Sequence, residues 1–552
     1  MKGGSAICIA AAVFALASCG TMVEEPGNRL SSAYAPGPFA VGVTANFVKD
    51  FSRPFDAWGE RHKSDDYRAL LAKIAASGEP ATVATNIYYP SPSDGERVKR
   101  RADLHPAALW RAQSGRRLHT LDLFMGDEEL ADQRLSFFRG RHTYQSFVGA
   151  PAAAGKFPLV VMVHGLGGGL SDWSRAAEYL ASHGYIVVTL AYTSDSSDTP
   201  VFHGPNSFFA KTLGHDELLK AYALLAKEHP VFKNFMKFLY GLDGEFERLS
   251  DFPDPATLNA RKGGGLRAAA MMAELFEQRT KDLGAVLREM KALNDGADGC
   301  RRQLEVRGVR KALCGFFSGA IDVENIGVMG HSLGAITAQS ALRFVPEVDT
   351  AIAFNNGLPR LWEPFGGFPN ESGLQPPDGV LKDLMILIGP DDAFVHMVFR
   401  DIHLKWFVEA GGDINEAWPL AIEQVWPTVG NPQPVARAAY ERARGAKALI
   451  TLRDQAHDTM TDDSINPEKP GSSASGRRVP MQRDATEQET FTIAAWAKDD
   501  GGYVFLPHQM RNYFVTAWFD WQLKGDQKQR AAIVQHPFAG SVQQMLSEGV
   551  EP

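Results

Sequence analysis

The sequence predicts an α/β fold built on a mainly parallel sheet, and three features of the chain carry that expectation. Short continuous apolar runs recur, each is followed by a glycine or polar turn, and each turn leads into residues with helical periodicity. The runs are Phe157–Val163, Tyr185–Ala191, Ile326–Met329, Thr350–Phe354, Leu384–Ile388 and Ala448–Leu452. A strand covered by helices on both sides reads as such a run, because neither face meets water. Upstream, Phe39–Val48 and Ala81–Tyr89 alternate partially and carry β-branched and aromatic residues, as an antiparallel edge would. Together these segments predict eight strands with helices on both faces. Tyr513, Phe514, Ala517, Trp518 and Trp521 then recur at helical spacing, which predicts a closing helix over Pro507–Trp521.

At 552 residues the chain exceeds what one hydrophobic core usually serves, roughly 250–300 residues, so insertions or a second domain are expected. Two stretches break the strand-helix rhythm inside a body spanning 38–545. In residues 200–276, Leu218, Leu219, Tyr222 and Leu225 stand at helical spacing, which predicts an inserted helical cap. Residues 463–502 are charged and rich in glycine and serine, which predicts an inserted loop. With 44% hydrophobic and 22% charged residues the composition is that of a globular protein. A net charge of -8 gives no basic footprint for a phosphate backbone, so nucleic acid is excluded as a partner.

The N-terminus reads as a targeting segment. Lys2 precedes an apolar run from Ala6 to Ala17, too short for a bilayer span of about 20 residues, so residues 1–18 are expected to be a signal peptide. The run ends Leu16-Ala17-Ser18-Cys19-Gly20, which resembles the bacterial lipobox. That resemblance implies a lipid on Cys19, a flexible tether over residues 19–37, and a place in the bacterial cell envelope on its periplasmic or surface side. Ordinary cleavage nearby, with Cys19 incidental, is the alternative. Of the four cysteines, Cys8 falls in the leader. Cys300 and Cys314 are then expected to pair in an oxidising compartment, two free thiols being the other reading.

The strongest chemical signal is Gly330-His331-Ser332-Leu333-Gly334, between the strand Ile326–Met329 and the helical run after it. A G-x-S-x-G in that setting holds its serine on a strained turn with Oγ above the sheet, and the flanking glycines leave room for the tight approach. The helix N-terminus beyond it favours developing negative charge. A second signal, His164-Gly165-Leu166-Gly167-Gly168, follows the strand Phe157–Val163. Its glycines would let backbone amides approach a substrate oxygen. The amides of Leu166 and Leu333 are the expected oxyanion donors. A phosphate-cradling loop or a plain tight turn is the alternative, but no Lys-Ser/Thr follows as a P-loop requires. No His-Glu-x-x-His or paired Cys/His spacing occurs, so neither a metal nor a cofactor is expected.

Taken together, these residues resemble the platelet-activating-factor acetylhydrolase and dienelactone-hydrolase-like branch of the α/β-hydrolases. The resemblance also rests on Gly37-Pro-Phe-Ala-Val-Gly42, Asn86-Ile-Tyr-Tyr-Pro90, Leu180-Ala-Ser-His-Gly-Tyr-Ile-Val-Val188 and Ile321-Asp-Val-Glu-Asn-Ile-Gly-Val-Met-Gly-His-Ser-Leu-Gly334. It implies an α/β-hydrolase fold and the chain order serine, acid, histidine. Among later histidines, His396 and His403 fall in a predicted helix, while His508 and His536 lie near or beyond the closing helix. His457, just past the last strand run, is therefore the expected base. For the acid, Gly389-Pro390-Asp391-Asp392 offers two carboxylates, of which Asp392 is preferred and Asp391 reads as a turn or cap. The acetylhydrolases place their acid after the strand following the nucleophile helix, where this chain has Asn355 and Asn356. Dienelactone hydrolases proper use a cysteine where Ser332 stands, so their chemistry is not implied, and neither is a phospholipid substrate. The expected activity is cleavage of a small or lipid-like carboxylic ester. Acyl transfer or amide cleavage by the same residues, or a non-catalytic binding lipoprotein, are the alternatives.

Overall fold

The computed structural model describes residues 37–54, 80–92, 146–165, 168–170, 172–192, 265–296, 303–306, 309–312, 315–355, 382–389, 434–453, 460–461, 496–499, 502–538 and 540–550, with positions 69, 72 and 76. In chain order the strands are β1 (Ala40–Pro54), β2 (Pro80–Ser91), β3 (Phe147–Val148), β4 (Phe157–Val163) and β5 (Ile186–Ala191). The hairpin β6 (Gln303–Val306) and β7 (Val309–Ala312) follows, and then β8 (Ile321–His331), β9 (Thr350–Phe354), β10 (Asp383–Ile388) and β11 (Lys447–Leu452). A second hairpin, β12 (Trp496–Asp499) and β13 (Gly502–Phe505), precedes β14 (Val542–Glu548). The helices are α1 (Ser174–Ser182), α2 (Gly265–Asp295), α3 (Leu333–Phe344), α4 (Pro434–Arg442), α5 (Leu506–Lys524) and α6 (Gln527–Val534).

The main sheet has ten strands in the order β14-β11-β10-β9-β8-β4-β5-β2-β1-β3, not the eight expected from the sequence. All eight expected strands are in it; the two extra ones lie at its edges. β3 is two residues long and pairs parallel to β1, while β14 pairs antiparallel to β11. Neither announces itself by an apolar run, because an edge strand is covered on few sides and β14 is mostly half-buried. From β5 through β4, β8, β9 and β10 to β11 every pairing is parallel, and β2 joins β5 antiparallel.

Side chains alternate across the central strands and feed two cores. Val161 and Val163 of β4 join Val328 and Ile386 against Leu283, Val286 and Met290 of α2 and Ala335, Ala338 and Leu342 of α3. Val160 and Met162 join Met329, Ile352 and Ile450 against Ala177 and Leu180 of α1 and Phe514, Trp518 and Phe519 of α5. Trp518 is fully buried and satisfies its indole by donating to Thr350 Oγ1 at 2.7 Å, which pins α5 to the start of β9.

Helix α2 straddles position 276, the end of the expected cap, and its C-terminal half belongs to the body of the fold. Arg53 on β1 fixes its register, donating to Gln278 Oε1 at 2.9 Å and Asp282 Oδ1 at 2.6 Å, while Asn46 donates to Glu289 Oε1 at 2.9 Å. Leu218, Leu219, Tyr222 and Leu225 lie outside the described residues, as does 463–495. The described end of the expected 463–502 loop is the β12–β13 hairpin leading into α5.

Candidate active site

The chain order of the parallel strands reverses at β4, since β5 pairs on one side of it and β8 on the other. In open α/β sheets the crevice beyond the carboxyl ends of strands at such a switch point is the natural ligand site. Two turns meet there, one leaving β4 at His164 and the other leaving β8 at Ser332.

Ser332 has φ 56° and ψ -118°, a left-handed backbone that an L-residue adopts only at a cost of about 1–3 kcal/mol. Surrounding contacts hold it there. Its amide donates to Phe354 O at 3.0 Å, and its own carbonyl accepts from Ala335 N at 3.0 Å in the first turn of α3. Leu333 opens that helix, so its amide lies among the N-terminal donors that carry the positive end of the helix dipole. The two flanking glycines have no room for side chains. A Cβ on Gly330 would overlap Gly334 O and Val163 Cγ2, and one on Gly334 would overlap the Val163 and His164 carbonyl oxygens. His331, between Gly330 and Ser332, is buried and pairs with Phe354 in the β8–β9 register.

The turn after β4 lies directly against the serine. A methyl group on Gly165 would stand 3.3 Å from Ser332 Cβ and 3.4 Å from His331 O. Three successive carbonyls of this segment are held by side chains. Val163 O accepts from Trp173 Nε1 at 3.1 Å, His164 O from Arg279 Nη1 at 2.9 Å, and Gly165 O from Arg279 Nη2 at 3.2 Å. Gly165 O also lies 2.6 Å from His164 Nδ1, and Tyr192 N donates to His164 Nε2 at 3.3 Å. A carbonyl can only accept and a backbone amide only donate, so this imidazole is neutral with its proton on Nδ1. At the far end of the turn, Gly169 N donates to Asp172 Oδ1 at 3.2 Å, and the tight approach of Asp172 leaves Gly168 no space for a Cβ.

On the other side of Ser332, Asn355 follows β9 with φ 51° and is fully buried. It is the first of the two asparagines, Asn355 and Asn356, at the place where the resemblance would put an acid. Its Oδ1 accepts from Gly389 N at 2.8 Å, and its amide donates to Leu387 O at 2.8 Å. Asn355 thereby ties the end of β9 to Gly389, the residue after β10. The segment carrying His457 is fastened at both ends: Arg453 N donates to Ser541 O at 2.8 Å, Arg511 Nη1 to Met460 O at 2.7 Å, and His508 Nε2 to Thr461 O at 2.8 Å. His508 is thus a buried anchor on α5. His536 packs beside Phe514 and Phe538, and burial lowers its pKa below the usual histidine value.

Ser332, Leu333, Gly330, His331 and Gly334 are therefore placed at one turn, with Gly165 against it. Leu166, Asp391, Asp392, His396, His403, His457, Cys19, Cys300 and Cys314 lie outside the described residues. Sequence reading missed Trp173, Arg279 and Arg511, and noted Asn355 only as a residue without a carboxylate; all four bond to backbone groups around the site. No local motif marks such residues, since Arg279, Asn355 and Arg511 reach partners on other elements.

The sheet order and the strained serine turn at its switch point have the arrangement of an α/β-hydrolase fold. Within that class it resembles the platelet-activating-factor acetylhydrolase branch: residues 55–214 match the family model described as platelet-activating factor acetylhydrolase, isoform II. A platelet-activating factor acetylhydrolase of Canis lupus familiaris is 31% identical over 117 residues, which are 21% of this chain and 24% of that protein. The match thus spans about a quarter of the relative's length. Among solved structures, a ferulic acid esterase from Streptomyces cinnamoneus aligns over 93% of this chain and 98% of its own, with 18% identity and a TM-score of 0.44.

Proposed function

We propose that this protein is an exported serine esterase that cleaves carboxylic esters through an acyl-serine intermediate and is held at the cell envelope by a lipid on Cys19. The observation that carries the reading is the backbone of Ser332, a non-glycine residue held at φ 56° at the head of a helix, beside a glycine turn at the switch point of the sheet. Strain of that kind is retained where a side chain must be presented to a reactant.

In this reading Ser332 Oγ attacks the ester carbonyl carbon and passes its proton to His457, whose imidazolium is steadied by Asp392. The oxyanion accepts hydrogen bonds from the amides of Leu166 and Leu333. Collapse expels the alcohol, which takes the proton from His457. Water, deprotonated by the same imidazole, then releases the carboxylic acid and restores Ser332. The name of the Canis relative supports a short acyl group such as acetyl. Residues 200–276 and 463–502 are the parts of the chain that would set substrate choice.

The test is labelling by a serine-directed fluorophosphonate combined with turnover of p-nitrophenyl esters of increasing chain length. Wild type is expected to be labelled and to hydrolyse the shortest ester fastest, while Ser332→Ala does neither. Equal labelling of both proteins would remove Ser332 as the nucleophile.

A further inference from the structure

Arg279 is fully buried on α2, 115 residues from His164 in sequence, yet its guanidinium holds the carbonyls of both His164 and Gly165. We propose that Arg279 is a positioning residue for oxyanion stabilisation, locking the peptide planes of the turn after β4 so that its amides stay turned toward the reacting oxygen. The proposal deepens the esterase reading above and rests on it.

The carbonyl of His164, which Arg279 holds, and the amide of Gly165 belong to one planar trans peptide and point in opposite directions. Drawing that carbonyl toward α2 therefore turns the amide away from α2. A glycine-rich turn has wide conformational freedom, so its peptides can flip. A flipped unit would present a carbonyl oxygen where a donor is needed, replacing attraction of an oxyanion by repulsion. Charge-assisted bonds from one rigid fork to two consecutive carbonyls oppose that flip in both peptide units together.

Arg279 itself is held in place. Its guanidinium lies 4.5 Å from the centroid of Tyr192, whose amide fixes His164 Nε2. Its neighbours on the helix, Gln278 and Asp282, are bonded to Arg53 of β1. The turn also meets the nucleophile, since a Cβ on Gly165 would contact Ser332 Cβ and His331 O. The geometry thus links β1, α2, the turn and the serine in one chain of contacts.

The experiment compares wild type, Arg279→Met and Arg279→Lys in turnover of p-nitrophenyl acetate and in inhibition by phenylboronic acid. Boronate forms a tetrahedral anion on a serine oxygen and so reports oxyanion binding directly. Fluorophosphonate titration counts competent serines, so kcat is expressed per active site. Losing an oxyanion donor lowers kcat on the order of 100- to 1000-fold. Arg279→Met is expected to lose about 100-fold in kcat and a similar factor in boronate affinity, with KM within about threefold of wild type. Arg279→Lys, whose ammonium is a point donor that can hold one carbonyl, is expected to fall between the two. The proposal is overturned if an active, Ser332-labelled wild type is matched by Arg279→Met in kcat per active site and in boronate affinity. It is also overturned if KM alone changes. Should Arg279→Met not fold, a wild-type kcat in Arg279→Lys overturns it equally. A wild type that neither turns over the ester nor is labelled at Ser332 defeats the esterase reading itself, and this proposal with it.

Discussion

Asn355 Oδ1 accepts the backbone N–H of Gly389 at 2.8 Å, joining the carboxyl ends of two neighbouring parallel strands through one buried side chain. The bond lies next to the serine turn, whose Ser332 amide donates to Phe354 O. Asn355→Ala removes the acceptor from a buried amide and leaves a Cβ residue with no side-chain compensation at φ 51°. A loss of about 2 kcal/mol in stability is expected from the orphaned donor. A lower urea midpoint with an unchanged m-value would show it, and esterase turnover should fall alongside.

The strain at Ser332 has its own signature. Glycine adopts φ 56° freely, whereas alanine does not. Ser332→Gly is therefore expected to be more stable than Ser332→Ala by about 1 kcal/mol, although both lose activity. Thermal or chemical denaturation of the pair decides the point; equal stabilities would mean that the backbone relaxes once the hydroxyl is gone.

Gly334 of the serine turn is closed in by the Val163 and His164 carbonyls. Because a methyl group there meets backbone, the strand end and the helix head must separate. Gly334→Ala is expected to cost at least ~2 kcal/mol and to lower turnover by disturbing both turns at once. Soluble yield, melting temperature and phosphonate labelling of the variant measure it.

Stability should respond to acid in two opposed ways. Burial tends to raise the Asp50 carboxyl, but hydrogen bonds from Ser52 and Arg53 and the charge of Arg53 outweigh it and hold its pKa below 3.8. Its stabilisation is present above that value and is lost as pH falls through the lower folded pKa. Burial raises the Asp349 and Asp383 carboxyls above 3.8 despite backbone hydrogen bonds from Ile326 and Ala446. In the window just above 3.8 the native state then holds more protons than the unfolded one, so their contribution declines as pH rises. Asp50→Asn is expected to flatten the acid limb of the stability curve below 3.8, and Asp349→Asn to flatten the decline above it. Denaturation midpoints across the acid range test both.

Most of the sheet could be read from the chain because a strand buried on both faces must be apolar throughout, and Phe157–Val163 or Thr350–Phe354 can be little else. The serine turn was legible for a related reason: a strand ending in glycine, serine and glycine before a helix satisfies a local steric demand that leaves a local mark. The edge strands β3 and β14 leave no such mark, since one is two residues long and the other is only partly covered.

The sequence by itself determined the run of buried strands, the glycine turn after β4 and the serine turn after β8. Tertiary structure alone decided that the turn at Gly165 lies against Ser332, that Arg279 of α2 holds it, and that Asn355 bridges β9 to β10. The physical reason is range. Propensity and steric need act between neighbours in the chain, whereas a hydrogen bond to a carbonyl 115 residues away exists only once the cores have packed.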